Sequence, residues 1–203
     1  MNFETAEVRI LGCLLEKERL TPENYPLSLH GLTTACNQTT NREPVVDYSE
    51  KLVEETLGSM REKKVATVVF GGGSRVAKYR HNLPDLYTLS EEELALLTVL
   101  LLRGPQTLGE LRTRSERMHP WDGLPAVETV LAGLSAGDEP LVRLLPIRSG
   151  QKEQRYIQLL GATEEADAGA IPASGTPTRM DRIEAELARL REEFETFKKQ
   201  FEG

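Results

Sequence analysis

At 203 residues the chain has room for one or two domains, and its 39% apolar but only 5% aromatic content means that any core rests on Leu and Val. The longest apolar-rich run, Leu94 to Leu102, falls well short of the roughly 20 residues that a membrane-spanning helix needs. The opening MNFETAEVRI has no basic segment followed by an apolar one, so a secretory signal is not expected either.

The net charge is −7, from 25 basic and 32 acidic side chains, which argues against indiscriminate nucleic-acid binding. Residues 1–80 are balanced, with 11 basic and 11 acidic, so the acidic excess lies later in the chain. Cys13 and Cys36 fit no metal or redox spacing. They read as two reduced thiols near a core, and a cytoplasmic location is expected.

The first helix is predicted over Glu4 to Glu18, where Val8, Leu11, Leu14 and Leu15 make an apolar stripe. Thr21-Pro22 and Pro26 break the chain before a second helix over Leu27 to Cys36, with Leu29 and Leu32 inward. NQTTNREP, Asn37 to Pro44, is a polar connection. Asp47 with Glu50 fits a capping box for a third helix to about Lys64, burying Leu52, Val53, Leu57 and Met60. VATVVF, three glycines and RVAKYR then predict a β-hairpin over Val65 to Arg80.

The same order recurs. Ser90 and Glu93 cap a helix to about Leu102, and aligning Glu7 with Glu93 places Val8, Leu11, Leu14 and Leu15 on Leu94, Leu97, Leu100 and Leu101. Thr107 and Glu110 open a helix to about Met118, HPWDG turns the chain, and Leu124 to Ala136 is the next helix. LVRLL (Leu141 to Leu145) and RYIQLL (Arg155 to Leu160) form a second hairpin. In the tail, Met180, Ile183, Leu187, Leu190, Phe194, Phe197 and Phe201 keep the three-and-four spacing of a coiled-coil seam. A helix of this length needs a partner surface. Either a second copy supplies it, with Ile183, Leu187, Leu190, Phe194 and Phe197 as the dimerisation residues, or the helix packs back on its own domains.

The expected fold is therefore mainly α with small β-hairpins. A first winged helix-turn-helix domain covers 1–82 and a second covers 88–160. A flexible linker over 161–178 leads to a C-terminal coiled-coil helix over 179–203.

Such modules bind DNA by placing the third helix in the major groove. Here that helix begins with Asp47, Glu50, Glu54 and Glu55 opposed only by Lys51, and its second copy has Glu128 and no base. The hairpins say the opposite. Arg61 to His81 holds six basic residues against Glu62, and the second hairpin holds Arg143, Arg148, Lys152 and Arg155 against Glu153. Basic wings suit phosphate or the minor groove, although Lys on a hairpin also simply discourages edge pairing. Asn37, Gln38, Thr39, Asn41 and Arg42 offer amides, a hydroxyl and a guanidinium beside the third helix. The candidate DNA contacts are these five with Lys51, Arg75, Lys78, Arg80, Arg112 and Arg114.

Chemistry finds little footing. FGGGSR lacks the Lys-Ser/Thr of a phosphate loop, and His30, His81 and His119 lie in three separate elements, so no metal-ligand pairing is expected. His119 beside Pro120-Trp121 reads as turn packing. No cofactor and no enzymatic activity are expected.

Several strings are familiar. VRILGCLLEKERLTPENYPLSL (Val8 to Leu29), ACNQTTNREPVVDY (Ala35 to Tyr48), LLRGPQTLGELRTRSERMHPW (Leu101 to Trp121) and the VETVLAGL region resemble the YceH-like family of uncharacterised bacterial proteins, over roughly residues 4–160. The resemblance implies a tandem winged-helix fold and no settled activity. Its densest strings, Asn37 to Pro44 and Arg103 to Met118, flank the two helix-turn-helix elbows and mark them as the candidate working surface. Two functions stay open. One is a DNA-binding regulator, dimeric through the tail. The other is a protein-interaction adaptor, by analogy with the tandem winged helices of chromosome-condensation complexes that bind partner helices.

Overall fold

The computed structural model describes residues 2–70, 76–147 and 150–161. Helix α1 (Thr5–Leu20) starts where the Glu4 N–H donates to the Glu7 carboxylate at 2.8 Å. A single 3₁₀ turn leads to the short strand β1 (Leu27–Ser28), and the Ser28 hydroxyl caps α2 (Leu29–Cys36) by accepting from the Gly31 N–H at 3.2 Å. After the elbow come α3 (Glu50–Glu62), β2 (Ala66–Phe70), β3 (Ala77–His81) and the short α4 (Leu83–Leu86). The second block is α5 (Glu91–Arg103), α6 (Leu108–Ser115), α7 (Leu124–Leu134), β4 (Val142–Leu144) and β5 (Tyr156–Gln158). The protein is thus mixed, with seven helices among the described residues and two small antiparallel sheets.

The blocks match in detail. In the first, β3 lies between β1 and β2, with Tyr79 opposite both Leu27 and Val68. In the second, β4 pairs β5 with Arg143 opposite Ile157. Gln106, just before α6, bridges Tyr156 through backbone bonds of 3.0 and 2.7 Å, as β1 before α2 pairs β3.

The capping boxes expected at Ser90 and Thr107 are present. The one expected at Asp47 is not, because Asn37 holds Tyr48 from both sides and keeps the chain extended there. Its amide accepts from the Tyr48 N–H and donates to the Tyr48 carbonyl, each at 2.8 Å. Helix α3 therefore starts at Glu50, with the Ser49 hydroxyl accepting from the Leu52 N–H. Leu52, expected inside, is 38% exposed, since the apolar face of α3 runs through Val53, Leu57 and Met60 instead. Neither β1 nor α4 was expected.

One continuous core joins the blocks. It includes Ile10, Leu11 and Leu14 of α1, Leu32 of α2, Val53 and Leu57 of α3, Leu96, Leu97 and Leu100 of α5, and Val127 and Leu131 of α7. Gly12 lets α1 and α5 approach closely. A Cβ there would lie 2.8 Å from Leu102 Cδ2 and 3.1 Å from Leu101 Cβ. Phe3 and Gly161 form a parallel bridge, so the two ends of the described chain meet. The heptads of the tail lie outside the described residues.

Candidate functional site

Two buried arginines shape the first elbow. Arg9 on α1 donates to the Cys36 and Pro44 carbonyls at 3.0 and 2.5 Å, tying the end of α2 to the start of the extended segment. Arg42 donates to the Ala35 carbonyl at 3.0 Å and sets its two terminal nitrogens on the Glu16 carboxylate at 3.0 and 2.6 Å. Burial pushes Glu16 up, but the hydrogen bonds and charge of Arg42, helped by Lys17, outweigh it and hold the carboxyl below its ordinary value. Cys13 and Cys36 lie fully buried beside this cluster, and the neighbouring Cys13 first, then burial, push the Cys36 thiol up.

Arg42 was expected at the nucleic-acid surface. Its side chain is wholly enclosed, because the charge is needed to match Glu16 and to saturate the carbonyls of the turn. Asn37 is occupied by Tyr48, and the Gln38 amide oxygen accepts from Lys17 and Arg42. Thr39 and Asn41 are exposed. Lys51 faces solvent with Glu55 at 3.8 Å. Lys78 is half-buried on β3, and Arg80 is exposed on the same strand. Arg112 is exposed, whereas Arg114 pairs with Glu110 at 3.2 Å and donates to Gln106. Arg75 and the proposed dimerisation residues Ile183, Leu187, Leu190, Phe194 and Phe197 lie outside the described residues.

The elbow meets the second block directly. Arg103 at the end of α5 donates to the Asn41 side chain, and the Glu43 N–H donates to the Leu102 carbonyl at 2.9 Å. An open polar groove of about 890 Å³ runs along Asn37, Gln38, Thr39 and Asn41 to Arg117. A smaller, more enclosed pocket of about 260 Å³ adjoins it, sharing Glu16, Asn41 and Arg117 and adding Arg103, Thr113 and Arg114. The two densest strings of the family resemblance thus come together in space. Lys78 and Arg80 of β3 line neither depression.

The sequence reading did not single out Arg9, Glu16, Arg103 or Arg117. Arg9 and Glu16 had a visible signal, being charges set among the buried positions of α1. Arg103 and Arg117 become site residues only because α5 and α6 pack against the elbow. His119 packs edge-on against Trp121, with ring centroids 4.7 Å apart, and the indole N–H donates to Ser115 at 2.8 Å. Among the described residues no three His, Cys, Asp or Glu side chains are grouped as metal ligands, and no helix is long and apolar enough to cross a membrane.

Fold and cleft together define a helical protein of two like blocks, each closed by a small antiparallel sheet, with a polar elbow held between them. Residues 3–151 match the family described as "Protein of unknown function, DUF480". A UPF0502 protein of Pelobacter propionicus is 46% identical over 218 aligned positions, covering 100% of this chain and 99% of the relative. Another, from Geotalea uraniireducens, is 45% identical with the same coverage. One from Azoarcus sp. strain BH72 is 42% identical over 99% of this chain and 95% of its own length. The chain belongs to the DUF480 family, in keeping with the YceH-like resemblance of the same strings.

Proposed function

We propose that this is a non-enzymatic, cytoplasmic tandem winged-helix protein that binds double-stranded DNA through phosphate contacts made by its first wing. The repeated order of helix, helix, helix and hairpin supports the fold assignment. So does the pairing of the residues before α2 and α6 with the return strand of each hairpin.

The observation that carries the DNA reading is a set of cations outside any ion pair. Arg61, Lys64, Lys78 and Arg80 make no ion pair among the described residues, whereas Lys63 is taken by Glu7 at 2.5 Å. Helix α3 exposes Glu50, Glu54, Glu55 and Glu62, so its carboxylates oppose close approach to phosphates. The contact proposed is therefore largely independent of base sequence.

Binding of a random-sequence duplex across a salt series tests this. Each neutralised phosphate contributes a slope of about −0.9 in log K against log salt. Lys78→Glu with Arg80→Glu should flatten that slope and weaken binding; a duplex affinity unchanged by the double substitution sinks the reading. A dimer through the tail heptads belongs to the same proposal, with sedimentation as its measurement.

A second reading, a protein-interaction adaptor, is favoured by a different observation. Both blocks leave apolar side chains exposed at like places: Leu52 and Leu124 on the third helices, and Phe70 and Leu144 where the first wing strand ends. On this reading duplex binding is undetectable at low salt, and Phe70→Ser with Leu144→Ser abolishes a nuclease-resistant complex with a protein partner.

A further inference from the structure

We infer that the enclosed pocket between the elbow and α5–α6 is a binding site for a small oxyanion, a phosphate or phosphate monoester, held by Arg103, Arg114 and Arg117 with the Asn41 amide.

The charge balance of the pocket departs from that of the chain. Within a protein of net charge −7, the lining presents three arginines and one carboxylate. That carboxylate, Glu16, is already engaged by Arg42 from the buried side and by Lys17 at 3.3 Å. The arginines are far less satisfied. Arg103 makes no ion pair and donates to the neutral Asn41 side chain, with Glu43 and Glu110 acting on it only through their fields, and Arg117 has no hydrogen-bond or ion-pair partner among the described residues. Arg114 divides itself between Glu110 and Gln106. Burial, then the nearby Arg114 and Arg42, depress the ionisation of Arg103, and the opposing carboxylates of Glu43 and Glu110 do not make up for them.

A doubly negative group placed among them would relieve that repulsion and accept paired N–H bonds from the planar guanidinium forks, a geometry that suits phosphate. Asn41 sits in the left-handed region at φ 58°, and its carbonyl oxygen already accepts from Arg103, leaving the amide N–H group to donate. The volume, about 260 Å³, lies below the ~300–1,000 Å³ of pockets that enclose drug-sized ligands. It suits a compact anion. Because Asn41 belongs to the first block and the arginines to the second, the ligand would brace one block against the other.

The inference is independent of the DNA proposal, which rests on the first wing. Calorimetric titration of the full chain with inorganic phosphate, against chloride at matched ionic strength, should show saturable binding and a rise in the unfolding midpoint. Arg117 is exposed and makes no hydrogen bond or ion pair among the described residues, so Arg117→Gln should leave the fold intact. It should weaken phosphate binding about tenfold, matching the loss of one charged hydrogen bond. Arg103→Gln should do the same, and Arg61→Gln, outside the pocket, should do nothing. Lys78→Glu with Arg80→Glu should keep phosphate binding whether or not it loses duplex binding. Phosphate binding that is absent, or that survives the Arg103 and Arg117 substitutions, overturns the inference.

Discussion

Arg42 lays its guanidinium across the Glu16 carboxylate at 3.0 and 2.6 Å where the two side chains retain only 0% and 7% of their surface. Removing one partner leaves the other charge enclosed and unmatched, a change that costs about 3–5 kcal/mol. Glu16→Gln is expected to fall in this range, with the loss read from urea unfolding. Replacing both residues by Leu and Met should cost less than the worse single change. A double variant as unstable as the sum of the singles would show that the pair does not act as a unit.

The same carboxylate predicts a pH response. Glu7 and Glu16 are both buried, which alone would raise them, yet Lys63 and Arg42 bring each below its ordinary value of 4.5. A carboxyl depressed in the folded state contributes stability that is fully present above its unfolded value and disappears as pH falls through the folded one. The urea midpoint should therefore hold from neutrality to about pH 5 and drop below about pH 4.5. Glu7→Gln should make the drop shallower.

The approach of α1 to α5 predicts an asymmetry between small substitutions. Gly12→Ala puts a methyl 2.8 Å from Leu102 Cδ2 and 3.1 Å from Leu101 Cβ, and overpacking of this kind costs about 1–3 kcal/mol. At Gly58, where an added Cβ meets nothing within 4 Å, Ala should stabilise α3 by about 0.5–1 kcal/mol. Thermal unfolding of the two variants should shift in opposite directions.

Lys64 sits at φ 62°, closing α3 while its N–H donates to the Arg61 carbonyl at 3.0 Å. A side chain in this region costs roughly 1–2 kcal/mol that glycine avoids. Lys64→Gly should raise the unfolding midpoint, and because it removes a cation beside the first hairpin it should also weaken any duplex binding. A lower midpoint would contradict the first expectation.

Cys13 and Cys36 are both fully buried. Neither should react with a thiol reagent in the native protein, and both should react at once in denaturant. Prompt native labelling would show that the elbow opens.

The repeat was legible because it rests on local signals. Apolar spacing in α1 and α5, capping boxes at Ser90 and Thr107, and β-branched runs in the first hairpin each act within a few residues. The misjudged start of α3 came from a long-range bond, since nothing near Asp47 reveals that Asn37 holds Tyr48 extended. The candidate site divided along the same line. Asn41 was readable as a polar elbow residue, but its partner Arg103 lies 62 positions away. Arg42 looked like a surface cation because its acid, Glu16, is 26 positions earlier, on α1.

The close fit of α1 against α5 also sets an order of events at the ribosome. Synthesis delivers some 5–20 residues per second, so α1 leaves the exit tunnel several seconds before Arg103. During that interval the side of α1 around Gly12, later covered by Leu101 and Leu102, faces solvent or a chaperone. The newborn first block must wait for the second before its longest helix is clothed.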